Sequence, residues 1–193
     1  MPFPLIPVIV TAVVTIIGGG IVASIISSLA PADVEEKADI TILFIGETEA
    51  GKDTVMELIK TGEFLNESRK TPKYEAIKTT VKNKTIKIIN TSGSDSTFED
   101  TEKAKNIPHN IRCYIFDARK FYKDEKIKNG IQNTINECKE KNIKYMSLGT
   151  RGDEVNKEKI ENKVRSMGID CSIFELSKEP HEQVIEFLFK EYL

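Results

Sequence analysis

The chain has 193 residues, enough for one α/β domain with an appendage and too few for two full domains. Its 39% apolar and 30% charged residues exclude a disordered chain and a multi-span membrane protein. A net charge of −2 offers no basic excess, so nucleic acid is not an expected partner.

Residues 1–32 hold no Asp, Glu, Lys, Arg or His, so all 28 basic and 30 acidic residues follow them. Val8 to Leu29 is a 22-residue uncharged run, and a helix there would span about 33 Å, close to the ~30 Å of a bilayer core. Pro2, Pro4 and Pro7 precede the run and Pro31 follows it, where a helix tolerates proline or stops. Gly18, Gly19 and Gly20 are less costly in lipid than in water, and Gly19 with Ala23 forms a small-x-x-x-small pair suited to helix pairing. The expectation is a membrane anchor over residues 1–31, with a lipid bilayer as partner through residues 8–29. A linker (32–38) and a soluble domain (39–193) follow. A cleaved signal peptide is the rival: Ala30-Pro31-Ala32 imitates a cleavage site, but no basic stretch precedes it. With no Lys or Arg before the run, charge does not orient it.

Ile40 to Ile45 is a β-branched and apolar run that reads as a buried strand. It leads into Gly46-Glu47-Thr48-Glu49-Ala50-Gly51-Lys52-Asp53-Thr54, followed by a helix carrying Val55, Met56, Leu58 and Ile59. Strand, glycine loop and helix in that order are the setting of a phosphate-binding loop. Its glycines let the backbone wrap a phosphate, amides at the helix start point inward, and Lys52 supplies positive charge. The Ser or Thr that ordinarily follows the lysine as a Mg²⁺ ligand is replaced by Asp53. Thr54, one residue on, is rotated about 100° around the helix.

Tyr74–Val81 and Thr85–Ile89 read as strands of a hairpin turning at Asn83-Lys84. Arg112–Phe116, Lys144–Leu148 and Ser172–Leu176 read as further strands. Stripes at Ile127, Ile131, Ile135 and Cys138, at Ile160, Val164 and Met167, and at Val184, Ile185, Leu188 and Tyr192 read as helices. The expected fold class is α/β: a three-layer sheet, mostly parallel with one antiparallel hairpin, preceded by a single transmembrane helix. Cys113, Cys138 and Cys171 have no disulfide or zinc spacing and read as buried thiols; His109 and His181 read as surface positions.

Over residues 39–193 these elements resemble a Ras- or Arf-type small GTPase of the P-loop class. Thr71 lies nineteen residues before Asn90, similar to the switch I threonine and switch II aspartate of Arf-type members. Asn90-Thr91-Ser92-Gly93 occupies the D-x-x-G position, and Tyr114-Ile115-Phe116-Asp117 resembles the Arf-type fourth strand. Thr150-Arg151-Gly152-Asp153 sits where N-K-x-D reads guanine, and Glu175-Leu176-Ser177-Lys178 resembles E-T-S-A-K. An N-terminal span before an Arf-like domain is similar to the layout of signal recognition particle receptor beta subunits.

The resemblance implies GTP or GDP with Mg²⁺ as cofactors. Residues 46–54 would cradle phosphate, with Lys52 neutralising charge and Thr71 and the Gly93 amide sensing the γ-phosphate. Asp153 would accept from the guanine edge, with Thr150 and Arg151 in place of the usual Asn and Lys, and Ser177 and Lys178 beside the base. In the family a neutral loop residue is paired with a strand aspartate. Here Asp53 is acidic and Asn90 neutral, so Asp53 is expected to ligate or order Mg²⁺, with Thr71 and Asn90 at the same ion. A degraded metal site is the other reading. Ser94 follows Gly93 where a glutamine usually orients water, so intrinsic hydrolysis should be slow.

The expected function is therefore a membrane-anchored, nucleotide-dependent switch facing the cytosol, where GTP is found. A protein effector or co-subunit would bind at residues 64–73 and 92–108. A non-hydrolysing adaptor is the alternative. A P-loop nucleotide kinase is a further one, although the five arginines (Arg69, Arg112, Arg119, Arg151, Arg165) are scattered.

Overall fold

The structure, a computed structural model, describes residues 12–17, 20–25, 38–64, 74–93 and 98–192. At the N-terminus, β1 (Ala12–Ile17) and β2 (Gly20–Ile25) pair antiparallel as a two-stranded sheet of their own, with Ile17 opposite Gly20. This corrects the transmembrane helix expected over residues 8–29. Among the described residues no helix is long and apolar enough to cross a membrane. Composition alone did not separate the two outcomes, but side-chain shape does. Val13, Val14, Thr15, Ile16, Ile17, Ile21, Val22 and Ile25 are β-branched, which stiffens χ1 and suits a pleated strand. Gly18–Gly20 would cost a water-exposed helix about 1 kcal/mol per residue. The linker expected over 32–38 lies outside the described residues except at Ala38.

The remaining strands, β3 (Ile40–Ile45), β4 (Tyr74–Val81), β5 (Lys84–Thr91), β6 (Ile111–Asp117), β7 (Lys144–Thr150) and β8 (Asp170–Ile173), form one six-stranded sheet in the order β4-β5-β3-β6-β7-β8. All neighbours are parallel except β4 and β5. That pair turns through Lys82 and Asn83, both at positive φ, with Val81 opposite Lys84. The turn therefore sits one residue earlier than the Asn83-Lys84 expected, because two left-handed residues match the twist of a two-residue hairpin. β8 likewise begins at Asp170 and ends at Ile173, earlier than Ser172–Leu176, since its pairing with β7 runs from Met146 opposite Asp170 to Gly149 opposite Ile173.

The helices are α1 (Lys52–Thr61), α2 (Phe98–Lys105), α3 (Glu125–Lys141), α4 (Lys157–Arg165) and α5 (His181–Phe189). Side chains alternate across a strand, and β3 shows the result. Ile40, Ile42 and Phe44 pack with Val55, Leu58, Val184 and Leu188 from α1 and α5. Leu43 and Ile45 pack with Ile127, Ile131, Ile160 and Val164 from α3 and α4. The sheet is thus covered on both faces, and each such buried aliphatic contributes about 1.5–3 kcal/mol. All three cysteines are free and buried.

Candidate functional site

The chain steps from β3 to β5 on one side and to β6 on the other, so the carboxyl ends of β3 and β6 border a topological switch point, where open α/β sheets bind ligands. The loop from β3 to α1 lies there. Gly46 (φ 141) begins it, and a Cβ at this position would stand 1.9 Å from the Ile115 carbonyl oxygen, so only glycine lets the chain leave the sheet against β6. Ala50 N–H bonds back to Glu47 O (3.3 Å), and Gly51 caps α1 in the left-handed conformation. Glu49 is left-handed as well (φ 62), unusual for a residue with a Cβ.

Lys52 turns inward and is buried, its Nζ donating to Gly46 O (2.8 Å) and Glu47 O (2.7 Å). Burial brings its pKa down to about 8, against the opposing pull of Asp53 and Glu47. The loop is gripped from two sides. The Thr150 hydroxyl, fully within the core at the end of β7, lies 3.0 Å from Ala50 O and 3.3 Å from Phe116 O. On the other side Gly93 abuts the loop so closely that a Cβ there would fall 2.3 Å from Thr48 N.

Asp53 and Asn90 do meet. Asn90 Nδ2 donates to Asp53 Oδ1 at 2.5 Å, and the fully buried Asn90 Oδ1 has no hydrogen-bond partner among the described residues. A carboxylate and an orphaned amide oxygen are ligand types that Mg²⁺ accepts, so the residues fit the ion chemically. Among the described residues no group of three or more His, Cys, Asp or Glu side chains is arranged for a metal. Phosphate oxygens and water would complete such a shell.

The second pair of loops closes the other end. Gly152 N–H bonds to Phe174 O (3.1 Å), which brings residues 151–154 beside 174–178. Asp153 is exposed, with Lys178 Nζ 3.8 Å away. Its carboxyl is raised by a hydrogen bond with Glu175 and by burial. Burial would raise Glu175 too, but hydrogen bonds from Asp153 and Ser177 outweigh it and hold Glu175 at about 2. Ser177 donates to Glu175 from both its amide (3.3 Å) and its hydroxyl. Arg151, left-handed at φ 57, reaches Asp117. Glu47, Thr48 and Gly93 face Asp117, Lys120 and Asp124 across a cleft of about 430 Å³.

The fold therefore gathers residues 46–54, Asn90, Gly93, Thr150, Arg151, Asp153, Ser177 and Lys178 at one end of the sheet. Thr71 and Ser94 lie outside the described residues, as do the rest of 65–73 and 94–97. Among the described arginines only Arg119 and Arg151 converge, both on Asp117; Arg112 is buried beside Glu137 and His109. Asp117 and Glu175 act at the site as partners that the sequence quoted only as motif members. A charged residue ending the apolar run 113–116 was the available signal for Asp117. No protein-family model matches the chain, and no curated protein matches it.

Proposed function

We propose that the chain is a guanine-nucleotide-binding protein that works as a nucleotide-dependent switch with slow intrinsic hydrolysis of GTP to GDP and phosphate. The observation that carries this reading is the Lys52 loop gripped between Gly93 and Thr150, which joins a phosphate-type loop directly to the Thr150–Asp153 segment. Amides at the start of α1 offer hydrogen bonds and a positive dipole end to phosphates. The Lys52 ammonium adds charge within the same loop. Asp153, with Ser177 and Lys178 nearby, offers an acceptor carboxylate that suits the two N–H donors of guanine and not adenine.

A bound Mg²⁺ would supply charge neutralisation on the phosphates, with Asp53 and Asn90 oxygens as its protein ligands. Glu47 and Glu49 place negative charge around the loop and oppose phosphate binding. Gly93 leads into the segment whose response to nucleotide would alter the binding of a protein effector or co-subunit. A non-hydrolysing adaptor is the second reading. The direct bond between Asp53 and Asn90 favours it, since the Asn90 amide occupies one of the carboxylate oxygens that Asp53 would offer to an ion.

Titration of the chain with GTP, GDP and ATP, with magnesium and with EDTA, tests both readings when phosphate release is followed in parallel. Guanine-selective, magnesium-dependent binding with slow release is expected. Retained nucleotide with no release identifies the adaptor, and no binding by any nucleotide overturns the proposal.

A further inference from the structure

Asp117 ends β6, a strand buried along its whole length, and its own side chain is only 3% exposed. A carboxylate withdrawn from water needs charged, hydrogen-bonded partners. It has two. Arg119 donates from its amide (3.0 Å), Nε (3.1 Å) and Nη2 (2.9 Å), and Arg151 donates from Nη1. Burial alone would raise this carboxyl, but the bonds from Arg119 and Arg151 hold it below the usual aspartate value.

The β6–β7 register explains the meeting. Asp117 lies opposite Thr150, and Arg151 is the next residue, turned by its left-handed backbone. Arg151 thus stands between Thr150, which holds the phosphate loop, and Asp153. It is bonded to Asp117 through an edge nitrogen while 41% of its side chain stays exposed. A guanidinium held by its edge keeps a planar face free, and such faces stack on nucleobases.

We infer that Asp117 is a positioning residue that fixes the Arg151 guanidinium in advance as a planar wall for the base. The assignment rests on the guanine-nucleotide reading above. Arginine otherwise loses rotamer freedom when it packs on a ligand, and freezing it beforehand lowers that cost. Asp117 acts only through Arg151, so its effect depends on the ligand having a base.

The test is a double-variant cycle on the full chain: wild type, Asp117→Asn, Arg151→Ala and both together, each titrated with GDP and with inorganic pyrophosphate, which lacks a base. Asp117→Asn is expected to weaken GDP about threefold to tenfold, to leave pyrophosphate unchanged, and to add nothing in the Arg151→Ala background. Arg151→Lys, which keeps the charge for Asp117 but loses the plane, is expected to weaken GDP alone and covers the case where Asp117→Asn fails to fold. Equal weakening of both ligands, multiplying effects in the double variant, or tighter GDP binding by Asp117→Asn would each overturn the assignment. A wild-type chain that binds pyrophosphate but not GDP, or neither, overturns the guanine reading and this assignment with it.

Discussion

Asp53 and Asn90 exchange the chemical characters that the GTPase resemblance would assign to them, and they are hydrogen-bonded to each other. If their oxygens share an ion, Asp53→Asn should leave nucleotide affinity nearly the same with magnesium as with EDTA. An undiminished magnesium effect in that variant would remove Asp53 from the metal site. Glu49 combines a left-handed backbone with a carboxylate on the loop between β3 and α1. Asparagine tolerates that backbone and carries no charge. Glu49→Asn should therefore tighten GDP about fivefold, the worth of roughly 1 kcal/mol of relieved repulsion, as read by calorimetric titration. His109 is set up to stay neutral: Nδ1 lies 2.7 Å from Ile107 O, while Nε2 accepts from Arg112 (3.2 and 3.3 Å). Burial lowers its pKa from 6.5, as do the Arg112 and Lys141 charges, against the Ile107 bond. Below about 6.5 the unfolded chain takes up a proton that the folded chain holds off, so stability falls as pH drops. Urea midpoints should decline from about pH 7.5 to about pH 5.5, and His109→Gln should flatten that decline.

Elements differ in how plainly their sequences announce them. Ile40–Ile45, the α1 stripe and the α3 stripe stand out because burial repeats at the period of the element. α2 gave no such signal: Phe98–Lys105 is almost wholly polar, and among residues 101–105 Ala104 alone is buried. An ion-pair chain ties it down as well. Lys105 pairs with Glu137 of α3 (3.0 Å), and the same Glu137 meets the fully buried Arg112 of β6 (2.6 Å). Removing that carboxylate leaves a buried guanidinium short of its anion, so Glu137→Ala should destabilise the fold by about 3 kcal/mol. A urea midpoint within experimental error of wild type would show that His109 and solvent suffice for Arg112. The N-terminal segment misled for the opposite reason. Its lack of charge matches a membrane span, while its β-branched residues favour β1 and β2.

On the scale of the whole molecule, the phosphate-type loop was legible because all its parts are local: a strand, two glycines, a lysine and a helix within 22 residues of sequence (40–61). The grip on that loop was not. Thr150 reaches Ala50 across 100 positions, and Gly93 reaches Thr48, through contacts that only the sheet order creates. The same holds for Asp117 and Arg151, whose pairing follows from the β6–β7 register. All these contacts bear on one claim, that residues 46–54 bind a nucleotide's phosphates with Lys52 inside the loop. Its most direct test is an equilibrium titration of the full chain with GDP and magnesium, alongside Lys52→Ala. Saturable binding is expected, weakened in the variant by at least about tenfold, the worth of a charged hydrogen bond. Equal affinity for both proteins, or no binding at millimolar GDP, would contradict it.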